Sequence, residues 1–198
     1  MTLYCATGNA GKLREFRMAG VPVEPLPSMD TIATCEETGS TFEENAILKA
    51  EYYGRLVGGL LFADDSGLEV DALAGAPGVY SARYAGQGAT DLENNRLLLE
   101  NLRGVENRTA RFVCVIALSD GGRLLKTFRG EVDGAILHEV RGEEGFGYDP
   151  LFYYPPFGCS FGEVEKERKF GVSHRGKALT ELKEYLMGLF PIALSSGR

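Results

Sequence analysis

Apolar runs of two different periods alternate along this chain, and this alternation constrains its fold more than any other feature. Two Thr-x-x-Glu segments, beginning at Thr41 and Thr90, have the spacing of a capping box, and each precedes an apolar stripe of helical period. The clearest strand patterns are residues 110–119 and 123–132, and the turn Asp120-Gly121-Gly122 between them predicts an antiparallel hairpin. The sequence therefore predicts an α/β fold with a mixed β-sheet.

The rest of the chain continues the same alternation. The sequence Asp64-Asp65-Ser66-Gly67 is interpreted as a turn that ends one apolar strand before another begins. No repeat, linker or low-complexity segment interrupts the 198 residues, so we expect a single domain, 1–198. The other predicted elements are strands 2–6, 60–63 and 68–73 and helices 13–18, 42–57, 91–102, 163–168 and 176–190.

Charge and cysteine usage narrow the class of protein. With 21 basic and 28 acidic residues the net charge is −7, which disfavours binding to a long nucleic acid, and no apolar run is long enough for a membrane span. Four scattered cysteines without a C-x-x-C pair indicate a reduced, cytoplasmic protein. Because the two histidines lie far from each other and from any cysteine, we expect any metal to be hard and bound by oxygen.

The first candidate site is a loop between the first strand and the first helix. Small residues there allow backbone N–H groups to converge on an anion at a helix start, and a lysine adds positive charge. An ordinary Gly/Asn turn explains the same residues equally well. The loop is Thr7-Gly8-Asn9-Ala10-Gly11-Lys12.

A second candidate site is acidic and contains Glu36, Glu37 and the Asp64-Asp65 pair. Mg²⁺ requires one or two carboxylates together with substrate phosphate oxygens. A simple turn is one interpretation of the two aspartates, but adjacent acids after an apolar strand repel each other unless a cation or hydrogen bonds offset the repulsion. We favour a functional role for this pair. At the start of the next helix a structural role is favoured for Glu43, whereas for Glu44 the capping box and a functional role are equally good explanations.

Two further groups of residues complete the pattern. A basic stretch suits a triphosphate, although a solvated helix face is the usual role of such a run. An aromatic segment, Phe146-Gly147-Tyr148-Asp149-Pro150, offers rings that stack on a nucleobase, although core packing is the commoner role of such rings. The basic residues are Lys166, Arg168, Lys169, Arg175 and Lys177, with His174 beside them.

Seven motifs in this order resemble those of the inosine triphosphate pyrophosphatase family, the dITP/XTP pyrophosphatases. They cover residues 2–179 and are far more specific together than singly. The motifs are Thr7-Gly8-Asn9 with Lys12, Glu36-Glu37-Thr38-Gly39, Thr41-Phe42-Glu43-Glu44-Asn45-Ala46, Ala63-Asp64-Asp65-Ser66-Gly67-Leu68, Gly75-Ala76-Pro77-Gly78 with Ser81-Ala82-Arg83-Tyr84, Phe146-Gly147-Tyr148-Asp149-Pro150, and Ser173-His174-Arg175-Gly176.

The resemblance implies a long mixed sheet flanked by helices, two lobes around a central active-site cleft, and a homodimer. It implies hydrolysis of ITP, dITP and XTP to the nucleoside monophosphate and pyrophosphate, with Mg²⁺ as cofactor. Asp65 would accept the proton of water, and Glu36 with Asp65 would hold the metal, although the alignment of Glu36 against Glu37 stays open. The substrate-binding residues implied are Thr7, Gly8, Asn9, Ala10, Gly11, Lys12, Ser66, Phe146, Gly147, Tyr148, Asp149, Lys169, His174 and Arg175.

Two alternative functions remain at this point. One is a nucleotide pyrophosphatase of the Maf-like group, which prefers modified pyrimidines or other bases. The other is a catalytically silent nucleotide sensor, against which the intact acidic set around Asp65 argues.

Overall fold

A computed structural model describes residues 2–189 of the chain, and both strands and helices alternate along it as the sequence predicts. The strands are β1 (Leu3–Cys5), β2 (Val23–Pro25), β3 (Leu60–Val70), β4 (Thr109–Asp120), β5 (Arg123–Ile136), β6 (Phe152–Tyr154) and β7 (Cys159–Ser160). The helices are α1 (Ala10–Met18), α2 (Phe42–Val57), α3 (Asp91–Asn101), α4 (Lys166–Phe170) and α5 (His174–Leu189).

Among the described residues, seven strands form one mixed sheet in the order β2-β1-β3-β4-β5-β6-β7. Strand β1 pairs in parallel with β2 and β3, whereas β6 pairs antiparallel with β5 and β7. Strands β4 and β5 are neighbours joined by Gly121 and Gly122 alone, which is the connection of an antiparallel hairpin. The predicted α/β class and the hairpin are confirmed.

The helix starts follow from capping chemistry. Thr41 and Thr90 each accept a hydrogen bond from the backbone N–H three residues later, and Glu44 and Glu93 return the bond to the caps. Helix α1 begins at residue 10 rather than at the predicted residue 13, because the side chain of Asn9 caps it. Polar side chains that satisfy the first N–H groups therefore set these three boundaries.

Further predicted boundaries also differ from the structure. The predicted turn at residues 64–67 is wrong, because β3 runs without a break from Leu60 to Val70. The last helix begins at His174 rather than at residue 176, and its predicted end at Phe190 lies outside the described residues. The short helix predicted at 163–168 occupies Lys166–Phe170.

The described chain divides into two compact units, and the division falls within β3, β4 and β5. The first unit contains residues 2–65, 114–130 and 175–189, and the second contains 66–113 and 131–174. None of the described helices is both long and apolar enough to cross a membrane.

In the first unit, α2 lies very close to the β4–β5 turn. A β-carbon built on Gly54 would lie 2.5 Å from Ser119 Oγ and 2.8 Å from Gly122 N. The hydroxyl of Ser119 donates to the carbonyl of Ala50 at 2.7 Å, which fixes the same contact from the sheet side. Glycine at position 54 is therefore required for space rather than for its backbone angles.

The second unit has an aromatic core. Phe112, Phe152 and Phe161 are buried, and the centroids of the first two rings lie 4.5 Å apart. Helix α3 contributes Leu98 to the same cluster. This core supports both α3 and the loop that leads from residue 145 to β6, and it includes Tyr148 of the aromatic segment.

The cysteines behave as the sequence predicts. Cys5 and Cys114 are buried free thiols within β1 and β4, and burial raises the pKa of each to about 12. Each therefore packs as a small hydrophobic side chain.

Candidate active site

The loop before α1 lies at the surface, where Gly8, Asn9 and Ala10 are exposed. The side-chain oxygen of Asn9 accepts hydrogen bonds from Gly11 N at 2.8 Å and from Lys12 N at 3.1 Å. Two of the backbone donors predicted to cradle an anion are thus already engaged within the loop. The exposed start of the helix and its dipole still favour an anion here.

Asp64 is almost fully buried in β3 and lies among cations of the first unit. Lys12 Nζ is 2.8 Å from its Oδ2, and Arg175 Nε is 3.9 Å from the same oxygen. Burial alone would raise the pKa of Asp64, but Lys12, Arg175 and Lys49 together hold it below its ordinary value. Asp64 is therefore a fixed anion.

Arg175 is also buried, and it pairs with Glu15 of α1. Burial alone would lower the pKa of this guanidinium, but Glu15 and Asp64 raise it. The sequence analysis named Arg175 as a candidate but missed Glu15. Glu15 lies next to Phe16 on the buried face of α1, and a glutamate on such a face is seldom buried unless it is paired. This position was the available signal for a buried ion pair.

Asp65, the next residue of β3, has different partners. Lys49 Nζ donates to its Oδ1 at 2.9 Å, and Asn45 Nδ2 donates to its Oδ2 at 3.2 Å. Burial raises the pKa of Asp65 above its ordinary value, despite the opposing effect of Lys49. A buried carboxylate with a raised pKa is better matched to accepting a proton near neutral pH.

Lys49 also contacts Glu37, at 3.2 Å. Burial would lower the pKa of Lys49, but Asp65, Asp64 and Glu37 outweigh that effect and raise it. Glu36, the ligand implied by the resemblance, is exposed, whereas Glu37 is half-buried. The structure thus brings Glu37 to the Asp65 group through one shared cation.

Lys49 and Asn45 are site residues that the sequence analysis missed. Asn45 lies three positions after Phe42, and Lys49 lies seven positions after it. Both therefore fall on the apolar stripe of α2, together with Ala46 and Ala50. Both are buried. Two polar residues within an otherwise apolar helix face were the signal, because such groups are seldom buried unless they are paired.

The second unit assembles another group of the predicted residues. Asp149 is buried, and its Oδ2 accepts hydrogen bonds from Lys169 Nζ at 2.6 Å and from Phe146 N at 2.9 Å. Lys169 Nζ lies 5.1 Å from the centroid of the Phe146 ring. An ammonium, a carboxylate and an aromatic face therefore occur together in this unit.

Two further residues of this unit are held by packing. The imidazole of His174 is buried and stacks on Phe112 at 4.8 Å with an interplanar angle of 12°. Tyr148 is buried and donates its hydroxyl hydrogen to the carbonyl of Ser81 at 2.8 Å. Ser66 is half-buried in β3.

The cations of the predicted basic stretch each have their own partner. Lys169 pairs with Asp149 in the second unit, and Arg175 pairs with Glu15 in the first. Arg168 lies over the ring of Phe157 at 4.2 Å. The sequence grouped these cations by proximity along the chain, whereas in the structure each of the three is engaged by a carboxylate or a ring.

The oxygen ligands available in the first unit fit a magnesium ion whose coordination shell is completed by the substrate. Among residues 2–189, no three His, Cys, Asp or Glu side chains are arranged to hold a metal by themselves. Asp65 and Glu37 are nevertheless brought within contact of a single cationic atom, Lys49 Nζ. Two oxygen ligands of this kind, together with phosphate oxygens, are what Mg²⁺ uses in nucleotide sites.

Comparisons with known proteins agree with this geometry. A dITP/XTP pyrophosphatase of Desulforamulus reducens is 47% identical over 196 residues, which cover 96% of this chain and 98% of that protein. The Staphylococcus aureus Ham1 protein has a TM-score of 0.87 at 43% identity, covering 96% of this chain and 100% of its own. A HAM1 protein from Coxiella burnetii gives 0.86 at 40% identity, covering 95% and 100%.

The match extends over nearly the whole chain. The sequence profile of the Ham1 family matches residues 3–185, a range that includes every site residue described above. The resemblance inferred from the seven motifs is confirmed, and the chain belongs to the Ham1 family.

Proposed function

We propose that this protein hydrolyses non-standard purine nucleoside triphosphates, ITP, dITP and XTP, to the nucleoside monophosphate and pyrophosphate. The observation that carries the proposal is Asp65, a buried carboxylate of raised pKa held between Lys49 and Asn45. The name of the 47% identical relative, dITP/XTP pyrophosphatase, supports the same activity and substrate class.

The reaction needs a proton acceptor and stabilisation of phosphate charge. A water molecule attacks the α-phosphorus, its proton passes to Asp65, and the bond to the bridging oxygen of the pyrophosphate breaks. Lys12, at the start of α1, stabilises negative charge on the phosphates. The sequence 7–12 binds the same groups through the exposed end of the helix.

The magnesium ion is part of the proposal. Asp65 would hold it together with a glutamate of the 36–37 pair. Glu37 is the better candidate because it contacts Lys49, which also contacts Asp65. When bound, Mg²⁺ neutralises phosphate charge and lowers the pKa of a coordinated water.

Selection of the base belongs to the aromatic segment and the cations near it in sequence. Inosine and xanthosine carry an oxygen at position 6, which accepts a hydrogen bond, whereas adenine carries an amino group. Lys169 and His174 offer donors for that oxygen, and Phe146 offers a ring for stacking. A buried donor left unpaired by the wrong base costs about 1–3 kcal/mol.

The assay that tests the proposal compares ITP, dITP, XTP, GTP and ATP in the presence of Mg²⁺ and separates pyrophosphate from orthophosphate. Pyrophosphate release from the first three, with GTP and ATP much slower, is expected. Preference for modified pyrimidines would indicate the Maf-like group, and binding without turnover would indicate a sensor. Orthophosphate as the product, or equal rates on ATP, would overturn the proposal.

The homodimer implied by the resemblance and the cytoplasmic location inferred from the cysteines are part of the same proposal. Light scattering coupled to size-exclusion chromatography tests the first, and a mass of one 21.5 kDa chain would contradict it. Cell fractionation tests the second.

A further inference from the structure

Helix α3 holds one residue of the aromatic segment by both of its backbone polar groups. The N–H of Gly147 donates to Asp91 Oδ2 at 2.7 Å, and Asn95 Nδ2 donates to the carbonyl oxygen of Gly147 at 3.0 Å. Asp91 and Asn95 are four residues apart, so they lie on one face of the helix. One acceptor and one donor on a rigid element therefore fix both the position and the orientation of this peptide.

Gly147 stands between the residues that the proposed function assigns to base recognition. Its φ is +63°, a left-handed conformation that glycine adopts without strain. Phe146 precedes it and donates its backbone N–H to Asp149, which binds Lys169. A displacement of Gly147 therefore moves the Phe146 ring and the Asp149 carboxylate together.

Burying the amide of Asn95 is energetically unfavourable, and its hydrogen bond to Gly147 offsets part of that cost. Its side chain is 5% exposed, and among the described residues its Oδ1 has no hydrogen-bond partner. A buried acceptor without a partner is unfavourable, and an apolar residue at this helix position would avoid it. The amide contributes a donor to Gly147 that an apolar residue lacks.

We propose that Asp91 and Asn95 are positioning residues for base recognition: they hold Gly147 and thereby set the placement of Phe146 and Asp149. The inference rests on the proposed function and extends it to α3, which belongs to none of the seven motifs. Neither side chain contacts the reacting phosphates in this scheme. Their loss therefore weakens substrate binding and base discrimination, while proton transfer to Asp65 continues.

An isosteric pair of substitutions tests the inference. Asp91→Asn keeps an oxygen that accepts from Gly147 N, whereas Asn95→Asp removes the donor that the Gly147 carbonyl requires. Because Asn and Asp have similar helix propensities, the two variants disturb α3 to a similar extent. Asn95→Asp is expected to raise KM for ITP about ten-fold with kcat changed less than about three-fold, while Asp91→Asn leaves both within about two-fold.

Two more variants separate positioning from helix stability. Asp91→Ala removes the acceptor and is expected to behave as Asn95→Asp does. Glu93→Ala removes the capping box of the same helix without touching Gly147, so it lowers Tm but leaves KM unchanged. A rise in KM for Glu93→Ala equal to that for Asn95→Asp would overturn the positioning role, because helix stability would then explain both.

Hydrogen–deuterium exchange gives a readout that does not depend on turnover. A peptide covering residues 143–151 is expected to exchange faster in Asn95→Asp and Asp91→Ala than in wild type, and unchanged in Glu93→Ala. Faster exchange with an unaltered KM and an unaltered ITP-to-GTP ratio overturns the positioning role alone. Wild-type protein that releases no pyrophosphate from ITP overturns the proposed function, and with it the role of α3 in recognition.

Discussion

The two sides of strand β3 present adjacent carboxylates in opposite electrostatic settings. Side chains alternate along a strand, so Asp64 and Asp65 point to opposite faces of the sheet. Lys12 and Arg175 hold the pKa of Asp64 below its ordinary value, whereas burial holds the pKa of Asp65 above it despite Lys49. One position along the chain thus separates a permanent anion from the carboxylate that we propose as the proton acceptor.

The largest effect is expected from neutralising Asp65, the proposed proton acceptor. Asp65→Asn keeps the shape of the side chain but removes its basicity, so kcat for ITP should fall by about 10²–10⁴-fold. Stopped-time measurement of pyrophosphate release checks this, with circular dichroism to verify the fold. Retained turnover would remove Asp65 from the role of base.

The matched change on the other face is expected to act mainly on stability. Asp64→Asn leaves Lys12 and Arg175 without the carboxylate they share, and breaking such a buried pair should lower the free energy of unfolding by about 3 kcal/mol. Urea denaturation of the two variants side by side measures it. If Asp64→Asn were as stable as Asp65→Asn, the contrast between the two faces would be wrong.

A smaller effect should follow from removing the cation that Asp65 shares with Glu37. Lys49→Gln removes an influence that lowers the pKa of Asp65, so the acid limb of the kcat profile should move to higher pH. Lys12→Gln lies on the other face and is the control for the loss of one lysine. For Lys12→Gln, kcat should also fall, but the acid limb of its pH profile should move less than it does for Lys49→Gln.

The smallest difference concerns stability as a function of pH, measured without metal in EDTA. The lowered pKa of Asp64 gives stability that is present above the unfolded-state pKa and is lost as pH falls through the folded-state value. The raised pKa of Asp65 gives stability present at low pH that is lost as pH rises through its folded-state value.

The free energy of unfolding against pH, compared with wild type, separates the two carboxylates. Asp64→Asn should therefore flatten the loss of stability on acidification, and Asp65→Asn should flatten the loss that begins as pH rises above the ordinary range for aspartate. The same pH slope for both variants would contradict the assignment of opposite shifts.

Local chemistry made much of this fold predictable. The capping boxes at Thr41 and Thr90 set helix starts through contacts within four residues, and the two glycines after Asp120 set a hairpin in the same way. The turn predicted at residues 64–67 was wrong, because residues distant in sequence overrode local propensity. Lys12 and Lys49 pair with the two aspartates and allow a continuous strand to contain them.

The candidate site was predictable to a similar degree. Motifs pointed to Lys12 and Asp65, because each stands in a recognisable local sequence. Glu15 and Asn95 were not found, since they are ordinary helix residues until tertiary structure brings them to Arg175 and Gly147. The partner of a charged group lies on a different element, and a single sequence does not report that pairing.

The close approach of α2 to the β4–β5 turn has a consequence for engineering. Replacing a mid-helix glycine with alanine is a standard route to thermostability, worth about 1 kcal/mol where the site is open. At Gly54 the added methyl group would meet the backbone of Gly122 and the hydroxyl of Ser119. A design that replaced this glycine with alanine would push α2 away from the hairpin. A stabilised variant should therefore keep glycine at position 54.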